Sequence, residues 1–366
     1  MPLLLTPSCA ADAPLADWLE DDAVAQAARQ LARGGLLGLP TETVYGLAAD
    51  AGQPEAVARI FSAKGRPADH PLIVHLAPQW LPGLAHHAVA VPEFAHALMR
   101  AFWPGPLTLI LPRKPGVSDA AAGGQNSIGL RCPAHPAAQA VLQVAQGLGV
   151  LGVAAPSANR FGRVSPTQAA HVMDEFMPMD GHALKVLQGG ACVVGIESTI
   201  VDATRGKPVV LRPGMVSASQ IQEVCGQKVN PSSDAACARE APKASGTLAS
   251  HYAPHARVRL MDTATLQAAV EMLAATPLPP HQRPGVAVYA RSTLGLAPVR
   301  LGERLPVLRG SLWWRPMPSQ AAACARELFA ALREFDDVGA QLIWVEVVPD
   351  DSAWDGVRDR LERAAH

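Results

Sequence analysis

Helical patterns alternate with short apolar runs along residues 22–222 of this chain. Apolar residues recur at helical spacing in three segments, 22–31, 54–61 and 136–146. Short apolar runs alternate with them, and those at 72–76 and 107–111 are bounded by prolines, which is typical of buried strands. The apolar runs lie at 36–39, 72–76, 107–111, 128–131, 150–154, 199–202 and 209–212. The alternation predicts an α/β domain built on a twisted, mixed sheet.

The pattern changes after this region. Residues 223–255 lack a sustained period and predict a long linker, which in compact proteins is usually disordered or functional. Beyond it, apolar runs and amphipathic helical patterns return and predict a smaller α/β domain. The runs lie at 258–261, 286–289 and 342–347, and the helical patterns at 319–335 and 354–365. The predicted division is therefore a catalytic domain at 21–222, a linker at 223–255 and a C-terminal domain at 256–366.

The composition of the chain argues against several classes of protein. No apolar run approaches the roughly 20 uncharged residues of a membrane-spanning helix, and Met1 to Leu5 has no basic leader, so we expect a cytoplasmic protein. The six cysteines include no Cys-x-x-Cys pair, which argues against a zinc knuckle and a disulfide framework. The net charge of −1 provides no overall attraction to nucleic acid.

Charged residues make up only 17% of the chain, so the cations of Lys64-Gly65-Arg66-Pro67 stand out. A basic helix C-terminus alone accounts for them in most proteins. Here an apolar strand follows, with His70 and His75 at its two ends. Cations and imidazoles at one strand edge favour a site for a polar, anionic ligand. The two histidines are five residues apart, and a metal pair is not predicted from them.

Other polar segments lie at strand ends. Thr41-Glu42-Thr43 follows the strand at 36–39, either as a turn or as the wall of a cleft. Ser127 and Arg131 share one face of a predicted strand. An arginine flanked by apolar residues needs a partner, such as a carboxylate or a phosphate. Pro156 to Asn159 follows another strand.

Several nucleotide and hydrolase motifs can be set aside. Gly147 to Gly152 has the spacing of a dinucleotide fingerprint, but a helix precedes it and a strand follows, which is the wrong order. These glycines fit a helix cap better. The chain contains neither a P-loop nor a Gly-x-Ser-x-Gly segment, so a nucleotide would be bound without a P-loop and a hydrolase triad is disfavoured.

Taken in order, the polar segments resemble the YrdC-like domain of threonylcarbamoyl-AMP synthases. The matching segments are 64–67, 70–75, 102–109, 156–159, 195–199 and 211–214. The tail, from Ser245 through His251 and Tyr252, resembles the long, two-domain form of this family, with a C-terminal Rossmann-like domain. The resemblance covers the chain beyond its first twenty or so residues.

The resemblance implies synthesis of L-threonylcarbamoyladenylate from L-threonine, bicarbonate and ATP, with release of pyrophosphate. It implies a nucleotidyltransferase, with Mg²⁺ carried by the ATP and no metal ligands in the protein. The product would serve threonylcarbamoyladenosine formation beside the tRNA anticodon, completed by downstream transferase proteins. Weak binding of double-stranded RNA, and no membrane association, also belong to this expectation.

The resemblance also implies roles for individual residues. The expected catalytic residues are Lys64, Arg66, Ser157 and Asn159. The expected ATP-binding residues are Lys64, Arg66, His70, Ser127, Asn159, Thr167, Arg212 and Tyr252. The expected L-threonine-binding residues are Thr43, His75, Arg131, Ser157 and Ser198. His70 departs from many relatives, in which Asn takes its position.

Two other functions stay open at this point. An RNA-binding or regulatory module would favour a basic groove with stacking aromatics, but aromatic residues make up only 5% of the chain. A carbamoyl transferase of the hydrogenase-maturation type would need zinc-finger segments, and the cysteine spacing supplies none.

Overall fold

The computed structural model describes residues 1–231, 241–248, 251–274, 284–300 and 303–366. They form two units. The first consists of Met1–Phe161 with Ser165–Thr247, and the second of Gly162–Val164 with Leu248–His366. Both units are α/β, in agreement with the predicted fold class.

The first unit is built on one mixed sheet. Its strands are β1 (Leu3–Leu5), β2 (Leu36–Leu39), β3 (Gly46–Asp50), β4 (Ile73–His75), β5 (Leu107–Pro112), β6 (Ser127–Arg131), β7 (Val153–Ala154), β8 (Leu184–Leu187), β9 (Thr199–Asp202), β10 (Val209–Arg212) and β11 (Asn230–Pro231). Their spatial order is β1-β8-β2-β3-β7-β4-β6-β5-β9-β10-β11. β4 pairs with β6 and β5 with β9 in parallel, whereas β5 and β6 are antiparallel.

Helices cover this sheet. They are α1 (Leu15–Leu19), α2 (Asp22–Ala32), α3 (Pro54–Lys64), α4 (Trp80–His87), α5 (Glu93–Phe102), α6 (Asp119–Ala122), α7 (Pro136–Gly147), α8 (Ala169–Glu175) and α9 (Ala218–Cys225). Their apolar faces complete two hydrophobic clusters with the strands. In α3, for example, Val57, Ile60 and Phe61 are buried, and a proline occupies the first turn, where its missing N–H costs nothing.

Element boundaries differ from the sequence patterns in a few places. The apolar run at 150–154 forms a strand only at Val153–Ala154, because the chain first leaves α7 through Gly149, whose φ is +92°. The glycines after α7 therefore follow a helix and precede a strand, as expected. β1 and α1 precede the predicted domain start. Of the predicted linker, residues 223–225 belong to α9 and β11 adds a short pairing, while 232–240 and 249–250 lie outside the described residues.

The second unit contains a smaller sheet. Its strands are β12 (Arg257–Met261), β13 (Val286–Ala290), β14 (Val307–Arg309), β15 (Leu312–Pro316) and β16 (Leu342–Glu346), in the order β12-β16-β13-β15-β14. Its helices are α10 (Thr263–Ala274), α11 (Ala321–Asp337) and α12 (Asp355–Ala364). All the described strand pairs are parallel except β14 with β15, which supports the Rossmann-like expectation.

Within the described ranges, no helix combines the length and the apolar character that crossing a membrane requires. The described cysteines, which exclude Cys237, are all free thiols.

Candidate active site

The pairing of β4 with β6 brings two of the expected site residues to one edge of the sheet. The strands are parallel, and His75 and Arg131, their last residues, are register partners. The carboxyl edge of such strands is where ligands collect in open α/β sheets. Both side chains are buried.

Arg131 is held by contacts from all three of its guanidinium nitrogens. Nη2 donates to Oε1 of Glu42 at 2.5 Å, Nη1 donates to Oγ1 of Thr43 at 2.8 Å, and Nε donates to the carbonyl of Gly105 at 3.2 Å. The partner that a buried arginine needs is thus a carboxylate of the chain itself. A guanidinium has more N–H groups than these partners use, so donors on Nη1 and Nη2 remain for a ligand.

The Thr41-Glu42-Thr43 segment forms a turn, and its role as the wall of a cleft stays a prediction. Thr41 Oγ1 donates to the carbonyl of Val44 at 2.6 Å and lies 2.9 Å from Thr43 Oγ1. Since the Thr41 proton is used, Thr43 donates to Thr41 and accepts from Arg131. The turn is therefore closed by its own hydroxyls and also contacts the guanidinium of Arg131.

The imidazole of His75 is neutral over the physiological range. Burial, and then the nearby Arg131 cation, lower the pKa of His75 to about 3. Its Nδ1 atom is buried and makes no hydrogen bond with any described residue. The ring can therefore offer a polar atom to a ligand without adding charge to the site.

Lys64 makes hydrogen bonds with two of the other expected catalytic residues, Ser157 and Asn159. It is 2% exposed, and its Nζ donates to the carbonyl of Ser157 at 2.6 Å and to that of Asn159. Burial, followed by the Arg66 cation, holds the pKa of Lys64 well below its usual range. The loop after β7 is thus tied to the end of α3.

Arg66 lies beyond a left-handed turn. Gly65 ends α3 with a φ of +63°, a conformation that favours glycine. Arg66 Nη2 donates to the carbonyl of Pro71 at 2.9 Å and to Oγ of Ser245 at 3.1 Å. Its guanidinium lies 5.8 Å from the ring centroid of Phe161, and the same ring meets His70 edge-on at 5.5 Å.

Arg212, at the end of β10, is bound to Ser198. Its Nε and Nη2 donate to the Ser198 carbonyl at 3.1 and 2.9 Å, and Nη2 also lies 3.2 Å from Ser198 Oγ. Its Nη1 donates to the carbonyl of Ser245 at 2.9 Å. Gly214 allows this approach, because a Cβ there would lie 2.6 Å from the backbone nitrogen of Thr199.

A narrow cleft lies near Arg66, because Pro71 and Ser245, which accept hydrogen bonds from this side chain, both line it. Ser127 and Thr108 line it from the sheet, and residues 243–245 of the predicted linker line its other side. Lys243 fixes this segment through an ion pair with Asp69 at 2.7 Å and a backbone hydrogen bond to Gln125 Oε1 at 2.8 Å.

Two expected ATP-binding residues remain to be described. Thr167 is buried, and its carbonyl accepts from the backbone N–H of Cys192 at 3.0 Å. Tyr252 belongs to the second unit, where its ring centroid lies 5.4 Å from that of Phe329 and 5.4 Å from the Arg360 guanidinium. Its part in ATP binding stays a prediction.

Three contributors were missed as site residues. Glu42 binds Arg131, Ser245 binds two cations, and Glu197 accepts from Ser165 Oγ at 2.5 Å. A signal existed for Glu42, since a carboxylate between two threonines at the end of a buried strand needs a cation if it is buried. No comparable signal marks Ser245.

The described residues do not form a metal cage. No group of three or more His, Cys, Asp or Glu side chains within the described ranges could hold an ion. The Mg²⁺ expected with ATP is therefore not matched by a set of protein ligands in those ranges.

Two family models match the chain. One, described as "Telomere recombination", matches residues 29–214. The other, described as "Threonylcarbamoyl-AMP synthase, C-terminal domain", matches residues 216–366. Together they span both units from the end of α2 onward and leave out β1 and α1.

Curated proteins and solved structures are similar over almost the full length. The threonylcarbamoyl-AMP synthase of Pyrococcus abyssi is 35% identical and that of Bacillus subtilis 36% identical, over 95% and 94% of this chain and 95% and 93% of their own lengths. A crystal structure of P. abyssi Sua5 complexed with L-threonine superposes with a TM-score of 0.79 at 31% identity, covering 100% of this chain and 97% of that one.

Proposed function

The chain belongs to the threonylcarbamoyl-AMP synthase family, and from this membership we propose which residues perform each part of the reaction. The enzyme makes L-threonylcarbamoyladenylate from L-threonine, bicarbonate and ATP, for tRNA modification beside the anticodon. We assign it to the nucleotidyltransferases, because an adenylate group passes from pyrophosphate to a carbamate oxygen.

L-Threonine binds, in this proposal, at the carboxyl edge of β4 and β6. The N–H groups that Arg131 retains on Nη1 and Nη2 bind the carboxylate in a bidentate pair. Thr43, His75, Ser157 and Ser198 surround the rest of the amino acid. The arrangement of Arg131 supports this, since three protein contacts fix its plane before any ligand arrives.

ATP binds beside it. Arg66 and Arg212 neutralise the phosphates, with Ser127 along the nucleotide and Lys64 and Asn159 near the reacting phosphorus. His70, Thr167 and Tyr252 complete the proposed ATP set. The observation that carries the proposal is that the buried guanidinium groups of Arg66 and Arg212 converge on Ser245. Two converging cations are what a polyphosphate requires in the absence of a P-loop.

The reaction then needs little covalent catalysis. The threonine amine attacks the carbon derived from bicarbonate to form a carbamate, with loss of water. A carbamate oxygen attacks the α-phosphorus of ATP, and the bond to pyrophosphate breaks. Positioning of the two substrates and neutralisation of the charge on the leaving pyrophosphate supply the rate enhancement.

Mg²⁺ enters with the nucleotide in this proposal. The described residues offer no cage of carboxylates for the ion. In this proposal, ATP oxygens bind it.

The product passes to downstream proteins that transfer the threonylcarbamoyl group to tRNA. We propose a cytoplasmic location on the basis of this tRNA role, together with weak, local contact with RNA, because the net charge of −1 supplies no long-range attraction.

The function can be tested by measuring pyrophosphate release in reaction mixtures from which one substrate at a time is omitted. We expect release, and an AMP-containing product, only when L-threonine, bicarbonate and ATP are all present. Arg66→Gln should raise the KM for ATP. The control Arg100→Gln, at a side chain that is 62% exposed, should change nothing. Turnover that does not depend on L-threonine would overturn the assignment.

A further inference from the structure

The two carboxylate oxygens of Glu42 differ in their hydrogen bonding. The residue is 4% exposed, and its Oε1 accepts from Arg131 Nη2 at 2.5 Å. Its Oε2 is buried as well, yet it accepts no hydrogen bond from any residue that the structure describes. A buried carboxylate oxygen without a donor is costly, so a ligand that supplies one gains affinity.

The position of Glu42 is fixed on both sides. Its own carbonyl accepts from the backbone N–H of Val194 at 2.7 Å, and the next carbonyl, of Thr43, accepts from Gly195 at 3.1 Å. Since the backbone is anchored and Oε1 is bound to Arg131, the carboxylate has little freedom to turn Oε2 towards another protein donor.

The chemistry of the expected ligand matches this spare acceptor. An α-amino acid carries its amine and its carboxylate on the same carbon. When its carboxylate binds Arg131, its amine lies among the groups around that guanidinium. Glu42 is the carboxylate in contact with the guanidinium, while Thr43 and His75 are neutral neighbours.

We propose that Glu42 selects the amine of L-threonine: Oε1 orients Arg131, and Oε2 accepts a hydrogen bond from the amino group. This proposal rests on the function proposed above for Arg131. It also gives Glu42 a part in the chemistry, because the nitrogen that it binds is the atom that becomes the carbamate. Specificity arises because a ligand with a hydroxyl in place of the amine makes a weaker contact with the carboxylate.

Equilibrium binding of two ligands tests this. The first ligand is L-threonine, and the second is 2,3-dihydroxybutyrate of matching stereochemistry, in which a hydroxyl replaces the amine. The wild-type protein should prefer L-threonine by roughly tenfold or more, the value of a charge-assisted hydrogen bond. In Glu42→Gln this preference should fall to nearly one, because the amide keeps an oxygen for Arg131 but presents an NH₂ group where Oε2 accepted.

The outcomes separate a selective role from a structural one. If Glu42→Gln weakens both ligands equally, Glu42 only positions Arg131 and the amine contact is refuted. If the wild-type protein binds both ligands equally, the proposal fails without any variant, so a Glu42→Gln protein that does not fold leaves the test intact. Failure of the wild-type protein to bind L-threonine would instead refute the proposed function. Glu93→Gln, at an exposed carboxylate, is the control and should keep the wild-type preference.

Discussion

Arg66 and Arg212 each donate a hydrogen bond to Ser245, the first to its hydroxyl and the second to its backbone carbonyl. The two cations come from different parts of the chain, one after α3 and one at the end of β10. The linker segment thus satisfies the same donors that the phosphates of ATP would use. In the proposed ATP site, the nucleotide would therefore compete with Ser245 for these guanidinium groups.

The first prediction concerns the shape of the Arg131 side chain. Arg131→Lys keeps the charge beside Glu42, but one ammonium cannot serve Thr43, Gly105 and a bidentate carboxylate together. We expect the KM for L-threonine to rise roughly tenfold to a hundredfold, with a smaller change in the KM for ATP. Steady-state kinetics with each substrate varied in turn will measure both. Equal increases for the two substrates would count against Arg131 as the threonine ligand.

The second prediction concerns Lys243. Its ion pair with Asp69 has side chains that are 62% and 60% exposed, and solvent screens such pairs strongly. Lys243→Ala should therefore change the free energy of unfolding by less than about 1 kcal/mol. Urea denaturation checks this value. A larger loss would show that the linker segment contributes to the stability of the first unit.

The third prediction concerns acid stability. The folded pKa of His75, about 3, lies below its unfolded value of 6.5. Below pH 6.5 the unfolded chain binds a proton that the folded chain does not, so stability falls as the pH decreases towards 3. His75→Gln should remove up to about 1.4 kcal/mol per pH unit of this slope. Unfolding free energies measured from about pH 4.5 to about pH 7.5 will show it, because the slope should be present below pH 6.5 and absent above it.

His87 offers an independent check of the same reasoning. Burial, followed by the neighbouring His86, lowers the pKa of His87 to about 4. His87→Gln should therefore also flatten the dependence of stability on pH, and the two effects should add in the double variant. A slope that neither substitution alters would contradict the account of both buried imidazoles.

The fourth prediction separates backbone strain from packing. A Cβ at Gly65 would meet nothing within 4 Å, but φ there is +63°. Gly65→Ala should destabilise the protein by about 1–2 kcal/mol through the left-handed conformation alone. Gly147 is the matched control, because its Cβ would also meet nothing within 4 Å and its φ is outside the left-handed range. Gly147→Ala should leave thermal stability unchanged or raise it.

The α/β alternation of both units could be predicted because period and bounding residues are local properties, but β3, β8, β14 and β15 were not among the predicted strands. Lys64 ends α3, as the helix C-terminus interpretation of Lys64-Gly65-Arg66 expects, whereas the interpretation of these cations as a ligand site stays a prediction. The 150–154 run misled because apolar composition does not reveal where the chain leaves a helix through a left-handed glycine. β1 was not predicted, because a strand of three residues is too short to show a periodic hydrophobic pattern.

The partners of the site residues could not be predicted in the same way. Arg131 was expected to need a carboxylate or a phosphate as its partner, but which group meets it depends on the pairing of distant strands. Glu42 meets it only because the turn after β2 lies beside the end of β6. The contacts of Ser245 depend on the path of a segment that has no periodic pattern at all.

In the proposed L-threonine site, two ordinary core residues of β6 would influence substrate recognition. Ile128 and Leu130 are buried on one face of β6, while Arg131 ends the same strand. Because side chains alternate along a strand, a slip of a single position would turn the guanidinium away from Glu42 and Thr43. The burial of Ile128 and Leu130 therefore sets the direction of the Arg131 side chain. In an assay, a change in the core at these two positions would then appear as a change of substrate preference.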